Sequence, residues 1–420
     1  NRSVAQHEHM AGKYTGSILG MKSALALLYA LISFVAAFII GYDTIHFKLL
    51  IWLGINQILS SFILFLRSNI SGMQMFKTDS VLSVLDRLLM IVFFSVLLWG
   101  NIFDVSINIF YFASFQTLSY LITFLIALII VLRKIKLSKI RWNNKLNIVL
   151  FRQSLPFAVL TFLMLFYYRV DSVMIERLLP QGSMHAGIYA SAYRILDAFG
   201  MFSYLFSVIL LPFFSRLMSK KHDVGPFLQL SAILLLSSAM MVSAVSLFNA
   251  DLIMNWLYKE HVTESARVLQ ILMFTFIPVS SVYIFGTLLT AWGSMKKLNI
   301  IALSGVILNI GLNLILIPQL LERGAAWSAL ITQSLVAISQ IVLSFLLVKP
   351  SGLKRTIILL VMFALAVYPA AWISDILQLR PGAGIIIIAS VWILFLLFNT
   401  LLLFRRNKLT ISDLLAWRKD

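Results

Sequence analysis

The chain has 420 residues, 60% of them hydrophobic and 12% charged, and it contains no cysteine. A soluble domain carries about 45–50% apolar and about 25% charged residues, so a water-soluble core with a polar coat is excluded, as are disulfide scaffolds and thiol chemistry. Net charge is +18, from 34 Lys and Arg against 16 Asp and Glu; in a membrane chain such a surplus is first a matter of topology, and binding to nucleic acid is not needed to explain it.

The chain opens on Asn1-Arg2-Ser3 without an initiator methionine and reads as cut from something longer. The apolar residues then come in unbroken runs, which suits helices and not the alternating strands of lipid-spanning barrels. A bilayer core takes about 20 apolar residues per helix. Spans are expected near 23–40, 45–65, 81–100, 109–132, 154–176, 186–211, 227–248, 266–290, 298–318, 324–348, 354–374 and 384–404. The fold class is therefore all-α, a polytopic integral membrane protein of about 12 transmembrane helices. A polar connection at 133–153 separates residues 1–132, with four spans, from 154–348, with six; residues 354–420 supply two further helices and a tail.

The basic residues sort by side. With the N-terminus cytoplasmic, 25 of the 34 fall on the cytoplasmic side, seven of them in the 133–153 connection. Six, Lys48, Arg177, Lys259, Arg267, Arg323 and Arg380, fall opposite, and Arg87, Arg169 and Arg194 fall inside spans. The positive-inside rule then places both termini in the cytoplasm. A faint internal repeat adds to the picture. Leu66-Arg67-Ser68-Asn69-Ile70-Ser71-Gly72-Met73-Gln74-Met75-Phe76-Lys77 and Leu289-Thr290-Ala291-Trp292-Gly293-Ser294-Met295-Lys296-Lys297 are both short turns leading into a span. Two pseudo-symmetric bundles are the architecture this suggests.

Three blocks carry a family resemblance. Ser154-Leu155-Pro156-Phe157 followed by Tyr168-Arg169-Val170-Asp171-Ser172-Val173-Met174-Ile175 resembles the seventh span of the polysaccharide flippases. Gly187-Ile188-Tyr189-Ala190-Ser191-Ala192-Tyr193-Arg194-Ile195-Leu196 and Leu211-Pro212-Phe213-Phe214-Ser215-Arg216 are similar to the block that follows. These are the O-antigen-type (Wzx-like) members of the multidrug/oligosaccharidyl-lipid/polysaccharide exporter superfamily. The resemblance implies two six-helix lobes and two C-terminal helices, with this chain beginning after the second helix of the first lobe. It also implies a bacterial inner membrane, a polyprenyl-diphosphate-linked oligosaccharide as substrate, movement by alternating access, and drive from an ion gradient (H+ or Na+) or the membrane potential.

Ionisable residues inside spans are costly, so each requires a partner or a wet cavity. Arg169 and Asp171 are two apart and point to different faces, whereas Arg194 and Asp197 share one; an Asp171–Arg194 pair between helices is the expected solution. Arg169 is the favoured ligand for an anionic headgroup, since guanidinium donates in pairs to phosphate oxygens. Tyr167 and Tyr168 beside it would stack on sugar rings or line a wet cavity. Arg87 would snorkel or line the inward-facing mouth, and Asn309 and Asn313 would bond between helices or line the cavity. Asp171, Glu176 and Asp197 are the candidate groups for coupling an ion, or alternatively for ion pairs. No metal or organic cofactor is expected: there is no G-x-x-x-x-G-K-[ST] phosphate loop, and the histidines show no ligand spacing beyond His7-x-His9. The membrane lipid is the other expected partner. A transporter, not an enzyme, is the reading. Its alternatives are a small-molecule antiporter of the same superfamily and a membrane glycosyltransferase or polymerase. The latter would need more than the connection at 249–265, which reads as solvated.

Overall fold

The computed structural model describes residues 11–72, 75–99, 109–134, 144–377 and 381–407. Among these residues there are helices and no strand, as expected from the sequence. Eleven helices are long and apolar enough to cross a membrane, and the last helix contributes a shorter apolar stretch, Ala383–Asn399. The His7-x-His9 pair, most of the basic run at 133–141, and the tail from 408 lie outside the described residues. The chain divides into two compact units, residues 1–153 and 154–420.

The first unit holds α1 (Ala11–Ile40), α2 (Thr44–Gly72), α3 (Phe76–Trp99) and α4 (Ile109–Lys134). Asp43 starts α2 by accepting a hydrogen bond from the His46 backbone N–H at 2.9 Å, which holds its carboxyl below the ordinary carboxylate range. Helices α2 and α3 both pack on α4, around Leu66, Ile70, Leu82, Ala127 and Val131. Lipid tails give no hydrophobic drive for helix association, so close packing and polar contacts must hold these helices together. Buried Asn56 on α2 accepts from Thr117 Oγ1 at 2.6 Å and donates to Gln116 Oε1 at 3.2 Å, both on α4. Arg67 Nε donates to Asp79 Oδ1 at 2.7 Å, closing the α2–α3 joint.

The second unit begins within α5 (Asn144–Leu178), whose first turns occupy residues read from sequence as connection. It continues with α6 (Gly182–Ser219), α7 (Gly225–Phe248), α8 (Ala250–Leu257), α9 (Val262–Ala291), α10 (Met295–Leu320), α11 (Glu322–Leu347), α12 (Leu353–Ile376) and α13 (Pro381–Asn407). The 249–265 connection is thus not wholly irregular: Ala250 and Met254 seat α8 in the core. Helix α9 is central and packs against α6, α7 and α11, while α10 packs on α11. Small hydroxyls bridge it to α6, through Ser191–Ser265 at 3.0 Å and Ser203–Ser280 at 2.9 Å. At the α6 and α11 starts, His185 Nδ1 lies 2.7 Å from Glu322 Oε2, with both side chains largely buried. Helices α12 and α13 pack on α7, where Tyr368 and Trp392 donate to Ser243 and Ser237.

A packing pattern recurs in the two units. In the first unit α2 and α3 both lie on α4; in the second α9 and α10 both lie on α11. The two turns singled out in the sequence close alike, with Met75 N donating to Ile70 O at 3.2 Å and Ser294 N donating to Leu289 O at 3.0 Å. Each is the six-to-one bond of a helix C-terminus.

One hairpin shows how little room there is for a side chain. At the α10–α11 joint, a Cβ on Gly324 would lie 2.1 Å from the Leu316 carbonyl oxygen, whereas one on Gly311, earlier in α10, would meet nothing within 4 Å. Gly324→Ala is expected to cost about 1–3 kcal/mol or more through forced backbone displacement, and Gly311→Ala to be neutral or slightly stabilising. Thermal unfolding of the purified variants checks this; equal midpoints would refute it.

Candidate functional site

The second unit gathers α5, α6 and α10 around one carboxylate. Asp171 is 1% exposed and sits about 10 Å along the axis from the end of α5 at about 1.5 Å per residue. Tyr189 on α6 donates its hydroxyl to Oδ2 at 2.9 Å, and Asn313 on α10 donates Nδ2 to Oδ1 at 2.7 Å. Asn313 Nδ2 also lies 3.2 Å from Asn309 Oδ1, one turn away on the same helix. Gly305, a further turn back, lets α11 approach: a Cβ there would press to 2.9 Å on Val336 and stand 3.9 Å from Tyr167.

Beside the carboxylate is a water-sized void lined by Tyr167, Tyr168, Asp171, Tyr193, Thr275, Asn309, Thr332 and Gln333, with Leu196 and Ala329 as its apolar walls. The lining is under-bonded. The hydroxyls of Tyr167 and Tyr168, Asn309 Nδ2, Asn313 Oδ1, Thr332 Oγ1 and Gln333 Oε1 are buried with no hydrogen-bond partner among the described residues. Buried polar atoms are almost always paired, and a concentration of orphans around a void is what a small polar occupant leaves when it is left out. The donor set is rich in neutral oxygens around one carboxylate, which suits a proton, a water or a single small hard cation.

The other charges that the sequence places within these spans, Arg169, Arg194, Asp197 and Glu176, are open to the surface of the unit. Arg169 is about 200° around α5 from Asp171 at about 100° per residue, and its side chain is 63% exposed. Its Nη2 donates to Asp197 Oδ2 at 2.9 Å, and Asp197 is itself 41% exposed. The guanidinium also rests on the ring of Tyr193, 5.4 Å from its centroid. Tyr193 in turn packs on Tyr189 with ring centroids 5.5 Å apart. Antiparallel α5 and α6 therefore meet along the stripe Tyr189, Tyr193 and Asp197, spaced four apart on one face of α6.

This arrangement corrects the expected Asp171–Arg194 pair. The two residues have comparable depth, but Arg194 follows Tyr193 by one position and so points about 100° away from the α5-facing stripe. It is exposed and makes no ion pair among the described residues. Asp171 is satisfied by neutral donors, and Arg169 takes Asp197. Tyr167 and Tyr168 line the internal void instead of presenting rings outward, and Asn313 bonds across helices while Asn309 lines the void. Glu176 is exposed near the α5 terminus, away from the void lining. Arg87, in the first unit, is exposed on α3. Sequence reasoning passed over Tyr189, Tyr193, Thr275, Thr332 and Gln333, along with the His185–Glu322 contact. The available signal was polar residues at helical spacing within apolar spans.

Comparisons with known proteins follow the same lines. The chain is similar in fold to a solved structure titled lipid II flippase MurJ, inward closed conformation, with a TM-score of 0.65 and 14% identity over 95% of this chain and 85% of that one. No curated protein matches it by sequence. The family model described as polysaccharide biosynthesis protein matches residues 2–218, a stretch that includes all three resembling blocks at 154–216. With more than half of its length matched by that model, the chain belongs to the polysaccharide biosynthesis protein family.

Proposed function

We propose that this protein flips a polyprenyl-diphosphate-linked oligosaccharide of the O-antigen type from the cytoplasmic to the outer leaflet of a bacterial inner membrane. The observation that carries the reading is the exposed Arg169–Asp197 pair with Arg194 beside it, at mid-span depth on one face of the second unit. Charges at that depth do not face hydrocarbon, so this face lines a wet cavity. A cationic patch in such a cavity suits an anionic headgroup, and Arg169 is the residue proposed to hold its phosphate. Arg194 and Arg87 are proposed as further cationic contacts. Family membership and the likeness to a flippase support a lipid-linked substrate. Alternating access by rocking of two lobes fits the repeated packing. Both termini of the chain are taken as cytoplasmic, from the distribution of Lys and Arg.

Drive is assigned to the buried carboxylate. Asp171, with its under-bonded void, is the group proposed to take up the coupling cation, H+ or Na+, while Asp197 and Glu176 belong to the exposed face. The antiporter alternative draws on the same acid, but Arg194, exposed and without an ion pair among the described residues, favours an anionic cargo over a cationic drug.

Two outcomes are expected. Arg169→Ala should lower polysaccharide export about ten- to a hundredfold at unchanged protein level in the membrane, the worth of hydrogen bonds to a charged ligand group; normal export would remove Arg169 from the site. Asp171→Asn should abolish the acceleration of flipping by an imposed Na+ or H+ gradient in proteoliposomes while leaving thermal unfolding nearly in place, because an amide oxygen still accepts from Tyr189 and a turned Asn313 amide can accept from the new N–H with its otherwise unpartnered Oδ1. Undiminished gradient stimulation would exclude Asp171 as the coupling group.

A further inference from the structure

Arg169 is held by a carboxylate that is in the way of the ligand proposed for it. The contact is a single bond, Nη2 to Oδ2 at 2.9 Å, so the other guanidinium N–H groups are left over from that pair. Both partners are open, at 63% and 41% exposed. Exposed pairs of this kind are weak, worth about 0–1 kcal/mol. The guanidinium does not depend on the carboxylate for its position, because the Tyr193 ring already supports it from beneath. Arg194, one turn before Asp197 on α6, is exposed and without an ion pair among the described residues, so a released carboxylate has a second cation within reach.

We infer that Asp197 is a built-in substitute anion: it neutralises Arg169 when the carrier is empty and is displaced when a ligand phosphate arrives. Because the exposed pair is weak, the exchange costs little, and it keeps Arg169 compensated both loaded and unloaded. The requirement is physical. A carrier must reset empty after releasing its cargo, and a cation left without a counter-charge would make the empty return slow and retain the product. A carboxylate that competes weakly for Arg169 weakens binding a little and lets the cargo leave. Asp197 is thus a positioning residue for the charge of Arg169 and not itself a ligand.

The inference rests on Arg169 as the headgroup ligand, and the test separates the two. Binding of farnesyl diphosphate to the purified full chain in detergent is measured by calorimetry for wild type, Asp197→Asn, Arg169→Ala and the double variant. Asp197→Asn is expected to bind about two- to fivefold tighter, the fold-change equivalent of a weak competing pair. Arg169→Ala should bind far more weakly, and the double variant should show no gain over it. Wild-type affinity in Arg169→Ala would overturn the reading of Arg169 itself. Weakened binding in Arg169→Ala together with unchanged or weaker binding in Asp197→Asn would overturn only the substitute-anion role. Asp197→Ser repeats the readout with a smaller side chain. Failure of both Asp197 variants to yield folded protein would also overturn it, by making the pair a structural clamp.

Discussion

An ionisable group inside a membrane bundle must find enough hydrogen bonds to stay, and in this protein that constraint falls on Asp171. Its carboxylate draws a hydroxyl from α6 and an amide from α10, so α5, its neighbour α6 and the distant α10 are fixed around one point. Neither donor is charged. The arrangement differs in kind from a buried ion pair, where the partner's own desolvation offsets most of the attraction. A carboxylate held by neutral donors keeps its charge available for something else. The orphaned oxygens beside it, on Tyr167, Tyr168, Thr332 and Gln333, are the wrong design for a purely structural core and a reasonable one for a site that fills and empties.

Two residues away the same helix carries the opposite solution. Arg169 leaves the bundle, rests on Tyr193 and takes an exposed partner. The division follows from helix geometry alone, since positions two apart are about 200° apart around the axis. One helix can therefore present an acid to the packed interior and a base to the exposed surface at almost equal depth. The stripe Tyr189, Tyr193 and Asp197 on α6 faces both, so a shift along α6 relative to α5 acts on the interior and exterior groups together.

Much of the fold was legible because the bilayer leaves few choices. Span positions follow from apolar length, and the helical class follows from backbone satisfaction; eleven of the spans reappear as long apolar helices and the twelfth as the shorter stretch in α13. The paired turns at 66–77 and 289–297 were visible too, as short Gly-containing connections. The site was legible only by composition. Asp171, Arg169, Arg194 and Asp197 were identifiable as intramembrane charges, but their pairing was not. Depth can be counted from a helix end, whereas facing depends on rotation, and a one-residue difference on α6 separates Tyr193 from Arg194. Sequence favours pairing opposite charges, and the structure instead gives Asp171 to a tyrosine and an asparagine. Nothing local marks Tyr189 as that partner, since it reads equally well as an apolar core residue.

The two sites are joined by a short physical path. Asp171 accepts from Tyr189, Tyr189 packs on Tyr193, and Tyr193 carries the guanidinium of Arg169. Neutralising Asp171 with a cation, or filling its void, weakens the bond that the Tyr189 hydroxyl makes to it, since charge-assisted hydrogen bonds are the stronger kind. The ring of Tyr193 is then free to move with it, and the support beneath Arg169 changes. Coupling of this sort needs no long-range wire, because the elements are in contact and share one helix face. It also has a direction: a change at the buried acid alters the platform on which the exposed base sits, and a ligand that pulls Arg169 off Tyr193 loosens the packing around the acid. Linkage requires these two effects to be equal in free energy. A carrier driven by an ion gradient requires the same reciprocity, and contact through two packed tyrosines is a sufficient means of providing it.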